Sequence, residues 1–150
     1  MTFKKSLILI GLSVLLAACS TERYPGHAQG SQAESATDTG VRYLLGRGVP
    51  RSDTKAFYYF NQAADQGDPF AQNEVAYMYA AGKGTPRDYT KAFKYYQLAA
   101  DHGLASAQYN LGVFYLRGLG TQANKELAVK WFRKSASHGF EPAKRMLARG

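Results

Sequence analysis

The side chains able to carry nucleophilic, acid–base or metal chemistry are used sparingly in this chain. It has one cysteine, Cys19, and three histidines, His27, His102 and His138. A single thiol can close no intramolecular disulfide and cannot complete a Cys/His zinc cluster. His102 and His138 each precede a glycine at equivalent points of the sequence. A partial cation near a helix C-terminus is favoured by the helix dipole, so both read as helix-end residues rather than ligands. His27 lies in a polar stretch and reads as solvent-exposed filler. No glycine run has the phosphate-cradling pattern of a nucleotide site, and no Ser, His and carboxylate set is singled out by spacing. The sequence therefore predicts no enzyme, no cofactor and no metal site.

Cys19 is the exception, because its surroundings are specific. Lys4 and Lys5 precede an apolar stretch over Leu7 to Leu16, the layout of a secretory signal. That stretch is too short to cross a hydrocarbon core of about 30 Å, which needs about 20 apolar residues. It ends in Leu16-Ala17-Ala18-Cys19, which resembles the bacterial lipobox, in which the cysteine thiol receives a diacylglycerol and becomes the first residue after cleavage. Several acyl chains hold a protein stably at a bilayer where one does not. Ser20, by resemblance to lipoproteins of Gram-negative bacteria, carries no retention signal and implies the outer membrane, with the periplasmic side as the default. From Ser20 to Ala33 the sequence STERYPGHAQGSQA has no apolar period. Such a segment reads as a flexible tether with a reach of roughly 20 Å.

At 150 residues, 45% hydrophobic, the chain can build one modest domain. Self-similarity at a period of 36 decides its type: Gly46/Gly82/Gly118, Gly48/Gly84/Gly120, Gly67/Gly103/Gly139, Tyr43/Tyr79/Tyr115, Ala56/Ala92/Ala128, Ala64/Ala100/Ala136 and Ala71/Ala107/Ala143. Tyr59/Tyr95/Trp131 and Phe60/Tyr96/Phe132 are aromatic throughout and are expected to be buried. In the second copy Ala71, Val75, Met78 and Tyr79 share one helical face up to Ala81, and Gly82 to Asp88 forms a turn in which Pro86 cannot continue the helix. A second helix from about Tyr89 to His102 buries Ala92, Tyr95, Tyr96, Ala99 and Ala100, and Gly103 closes it. No single unit of this kind can cover its apolar face, so the copies must stack.

The third copy carries the clearest family likeness: Ala107-Gln-Tyr-Asn-Leu-Gly-Val-Phe-Tyr115, Gly118-Leu-Gly120, Ala128-Val-Lys-Trp-Phe-Arg-Lys-Ser-Ala136 and His138-Gly139. These residues resemble the Sel-one-like repeat, a relative of the tetratricopeptide repeat. The resemblance implies an all-α fold, a short right-handed α-solenoid used as a binding platform. The expected organisation is a lipoprotein signal peptide over 1–18, the lipidated cysteine and linker over 19–33 and the repeat domain over 34–150. The repeats fall at about 34–69, 70–105 and 106–141, with a C-terminal capping helix over 141–149. Thr39 and Arg42 stand at columns that elsewhere hold Val75 and Met78, so the first helix is expected to be degraded into a polar cap. Some cysteine-rich members of the family are associated with penicillin binding or hydrolysis and staple each helix pair with a disulfide. This chain lacks the cysteines for that.

Charge is uneven. Residues 19–116 hold nine basic and nine acidic side chains, whereas residues 117–150 hold eight basic and two acidic. A basic end can attract an acidic protein face, anionic lipid headgroups or an anionic glycan, and the export signal argues against nucleic acid. Lys130, Arg133, Lys134 and Lys144 read as solubilising outer faces. In the tetratricopeptide relatives the first helix of each pair lines a concave groove, which here implies Phe70, Asn73 and Tyr77, with Ala80 and Ala81, from the second copy. Tyr109, Val113, Leu116 and Arg117, after Ser106, follow from the third, and Arg145 and Arg149 from the start of the fourth. The resulting expectation is an envelope lipoprotein that binds another envelope or periplasmic protein through this groove as a scaffold or adaptor. The alternative is a periplasmic immunity protein that neutralises a secretion-system toxin such as a phospholipase effector. Replacing Cys19 by Ala should release the protein from the membrane fraction and end incorporation of labelled fatty acid. Retention of the label in Cys19→Ala would remove the lipobox reading.

Overall fold

In a computed structural model the chain is described over residues 34–149. The signal peptide, Cys19 and the linker expected over 19–33 lie outside the described residues. Among the described residues there are seven helices and no strand: α1 (Ala36–Leu45), α2 (Asp53–Asp65), α3 (Pro69–Ala81), α4 (Tyr89–Asp101), α5 (Ala105–Arg117), α6 (Lys125–Ser137) and α7 (Glu141–Leu147). Each packs chiefly on its neighbours in sequence. The arrangement is an all-α stack of helix hairpins in which α1/α2, α3/α4 and α5/α6 are the pairs and α7 closes the end.

Local chemistry starts and stops each helix at equivalent places. Ser52, Asp88 and Asn124 cap α2, α4 and α6, each side-chain oxygen accepting from the backbone N–H three residues on. Ser35 and Asp68 do the same for α1 and α3. Leu104 and Phe140, in the Asp68 column, supply no cap and instead pack against the core. After the first helix of each pair the chain reverses at Gly46, Gly82 and Gly118, whose N–H groups donate to the Arg42, Met78 and Phe114 carbonyls. The turn is then pinned where the N–H groups of Ser52, Asp88 and Asn124 reach the Tyr43, Tyr79 and Tyr115 carbonyls at 2.8–3.0 Å.

Packing follows two rules. Within a pair, a ring from the second helix sits on a residue with little side chain on the first. A Cβ placed on Gly40 would come within 2.8 Å of the Phe60 ring, and one on Gly112 within 2.6 Å of Phe132. Between pairs, the second glycine of the turn presses on the previous unit. A Cβ on Gly84 would overlap the Asp53 carbonyl, and one on Gly120 the Tyr89 carbonyl. The core then divides into two buried clusters, one around Phe60, Val75 and Met78 and one around Tyr96, Leu111, Phe114 and Phe132.

Two expectations change. The α1 segment is a regular helix rather than a degraded one: Thr39 and Arg42 stay half-exposed while Gly40 and Leu44 are buried. Arg42 meets its polar needs at the edge, donating to Glu34 at 2.5 Å and to the Arg47 carbonyl. The Tyr59/Tyr95/Trp131 column is only half-buried; Phe60, Tyr96 and Phe132 are the fully enclosed rings. The outer column instead stacks sideways, with Tyr43 on Tyr59 at 5.6 Å and Tyr79 on Tyr95 at 6.0 Å.

Gly103 and Gly120 separate backbone strain from steric contact. Both have positive φ, 88° and 63°, but a Cβ at Gly103 meets nothing within 4 Å. Gly103→Ala should therefore cost about 1 kcal/mol, and Gly120→Ala an additional ~1–3 kcal/mol from overpacking. Urea unfolding of the two variants reads the difference. Equal losses would mean that the seat at Tyr89 is loose.

Candidate interaction surface

The two helices of a pair are not equivalent. In α3 the residues Ala71 to Ala76, Met78 and Ala80 are all buried, and in α5 the whole run from Ala107 to Phe114. In α4 and α6 only one stripe is buried, such as Ala92, Tyr96, Ala99 and Ala100. The first helices thus form an inner layer enclosed by the second helices of their own and the preceding unit.

The candidate groove residues separate accordingly. Asn73, Tyr109 and Val113 are buried, as is Ala80, and offer little free surface; Tyr109 keeps 6% of its own. The reason is that neighbouring elements supply rings that cover them: Tyr109 packs on Phe132 of α6 and on Phe140 at the start of α7, with ring centroids 5.4 and 5.6 Å away. Phe70 and Tyr77 are half-buried, Phe70 edge-on to Phe60 and Tyr77 under the Lys83 ammonium, which also donates to its hydroxyl at 3.2 Å. Leu116, Arg117, Arg145 and Arg149 are exposed. What remains open on the inner layer is therefore its C-terminal part, apolar at Leu116 and basic around it.

Polar groups inside the layer were not singled out by the repeat columns. Gln72 and Gln108 donate through Nε2 to the Ala64 and Ala100 carbonyls, tying each inner helix to the end of the helix before it. Asn110 donates to Asn73 Oδ1 at 3.3 Å, and Asn73 donates to Glu74 Oε1 at 3.1 Å, which joins the second and third units. Asp38, Glu74 and Asn110 share one column, so a polar position flanked by apolar ones was the available signal. Glu74 Oε2 and the Tyr96 hydroxyl are buried with no hydrogen-bond partner among the described residues. Burial pushes the Glu74 carboxyl up to about 7, against smaller opposing effects of the Asn73 hydrogen bond and the Lys83 charge. The Tyr96 hydroxyl is pushed up by burial and by the neighbouring Glu74 charge. His138 does more than face a helix end, since its Nδ1 donates to Gln108 Oε1 at 2.9 Å. The equivalent Gln72 Oε1 is left without a partner.

Among the described residues no three His, Cys, Asp or Glu side chains stand together as a metal site, and no helix is long and apolar enough to cross a membrane. Stacked helix hairpins with an enclosed inner layer define an α-solenoid repeat protein. The chain belongs to the Sel1 repeat family, whose model matches residues 33–68, 69–104 and 105–140. Repeats of this family commonly mediate protein–protein interaction.

Among solved structures, a Sel1 repeat protein from Oxalobacter formigenes is 38% identical, with a TM-score of 0.71 over 77% of this chain and 86% of that one. The protective antigen c5321 of uropathogenic Escherichia coli is 34% identical over 69% of this chain, which spans 22% of that larger protein, with a TM-score of 0.68. Cysteine-rich protein B of Helicobacter pylori, 24% identical with a TM-score of 0.63 over 74% of this chain and 87% of that one, shares the fold. No curated protein matches the sequence.

The buried Glu74 makes stability depend on pH. Its folded value of about 7 lies above the ordinary carboxylate value of 4.5, so the folded state holds the proton more tightly than the unfolded one. Its contribution is fully present below pH 4.5 and is lost as pH rises through 7, on the order of 3 kcal/mol in total. Glu74→Gln should flatten the pH profile of the unfolding free energy between about pH 5 and 8. An unchanged slope in that variant would show that Glu74 does not titrate in the folded protein.

Proposed function

We propose that this chain is a lipid-anchored scaffold of the bacterial cell envelope, tethered through Cys19, that binds a protein partner along the exposed part of its inner helical layer. The family supports the binding role, and Leu16-Ala17-Ala18-Cys19 supports the anchor. One observation carries the choice of surface. The inner layer is closed by its own side chains except toward its C-terminal part, where Leu116 keeps 42% of its surface exposed beside Arg117. An apolar anchor with a charged rim is the usual make-up of a binding hot spot. A catalytic role has no comparable support, since no nucleophile, base and orienting group meet among the hydrogen bonds described above.

The outer layer provides the control. Tyr58 and Leu98, 57% and 48% exposed, lie on α2 and α4. Envelope extract passed over the immobilised protein should yield a partner whose affinity falls by about tenfold in Leu116→Ser, with Tyr58→Ser and Leu98→Ser unchanged. Loss of binding in the outer-layer variants alone would move the site to the opposite surface. Recovery of a phospholipase-class toxin as the partner would make the chain an immunity protein acting through the same face.

A further inference from the structure

Three guanidinium groups at the end of the inner layer make no ion pair at hydrogen-bond distance among the described residues. Arg117 follows Tyr109 by eight residues on α5, close to the same helical stripe. Arg145 lies in the last turn of α7 and Arg149 two residues past its end, and the 36-residue period puts them in the columns of Tyr109 and Val113. All three are exposed and make no hydrogen bond or ion pair among the described residues. Arg42, Arg51, Lys91 and Lys144 do have carboxylate partners. The α7 carboxylate, Glu141, is bonded to Lys144 at 2.6 Å and lies in the field of Arg145 without a hydrogen bond to it.

Tyr109 is the floor of this cluster. Its ring is clamped by Phe132 and Phe140, so its hydroxyl has a fixed position. Burial pushes that hydroxyl up, and Arg117, Arg145 and Arg149 all pull it back, which places it within the field of all three. The ensemble is an O–H donor among three forks of N–H donors, none of them hydrogen-bonded to a carboxylate among the described residues.

We propose that Arg117, Arg145, Arg149 and the Tyr109 hydroxyl form a binding site for a carboxylate-rich peptide segment, a refinement that rests on the scaffold reading above. Guanidinium forks pair bidentately with carboxylates. Three separate guanidinium groups around one hydroxyl suit several carboxylates carried on one segment rather than a single phosphate.

The test uses the full-length lipidated protein in detergent and a fluorescent peptide that alternates glutamate with leucine. Its glutamine counterpart and phosphatidylglycerol vesicles serve as competitors. The glutamate peptide should bind at least tenfold tighter than the glutamine one, with an affinity that falls as salt rises. Arg145→Gln and Arg149→Gln should each weaken it by about tenfold, and Tyr109→Phe, which keeps the ring and the core, by about threefold. Lys130→Gln on the outer layer should leave it unchanged. Equal binding of the two peptides, or arginine variants that bind normally, would overturn the site; so would vesicles competing through these arginines while the peptide fails to bind. If the envelope partner is still captured by the triple arginine variant, the site falls and the scaffold reading survives. If no partner is captured but arginine-dependent peptide binding persists, the site survives and the scaffold reading falls.

Discussion

Within each helix pair the separation is set by a large ring resting on a residue that has almost no side chain. Phe60 lies over Gly40 and Phe132 over Gly112, and Tyr96 shares its buried cluster with Ala76 in the same column. Because the ring occupies the space a side chain would need, the two backbones cannot separate without opening a cavity the size of a benzene ring. Nor can they close further. The turn geometry, the seats of Gly84 and Gly120 on the preceding unit and the enclosure of the inner helices all presuppose that fixed distance. Burial that would be marginal in one hairpin becomes sufficient when each hairpin also covers its neighbour.

The period of the sequence made the fold legible, because the residues that recur are those that steric contact or backbone conformation leaves no choice about. Gly84 and Gly120 recur because a neighbouring carbonyl fills their space, and Gly82 and Gly118 because the chain must turn left-handed there. Burial depth was less legible. Tyr95 and Tyr96 look alike in sequence, yet one ring lies half-exposed beside Tyr79 and the other is fully enclosed. A helical period gives direction around an axis but not the distance to the next layer. The same gap misplaced part of the candidate surface: Tyr109 and Val113 are buried, Tyr109 beneath the rings of Phe132 and Phe140. The proposed anchor, Cys19, rests on a motif alone and lies outside the described residues.

The polar interior has a different logic. Glu74, Asn73 and Asn110 are buried among alanines and valine, where an apolar set would pack at lower cost. Their bonds run across the boundary between units, from Asn110 to Asn73 and on to Glu74. An apolar contact tolerates a small slide of one unit along the next, whereas a hydrogen bond with one acceptor does not. The network therefore fixes register between repeats that are otherwise nearly interchangeable.

An inner layer packed full of its own side chains has a thermodynamic corollary. Tyr109 and Val113 occupy settled positions before any ligand arrives, so little rotamer freedom remains to be lost on their side of a contact. The ordering entropy of association then falls almost wholly on the ligand and on the few exposed arginines at the rim. Such a surface discriminates by shape, rejecting what does not fit instead of remodelling around it, and a floppy ligand is penalised in proportion to its own flexibility.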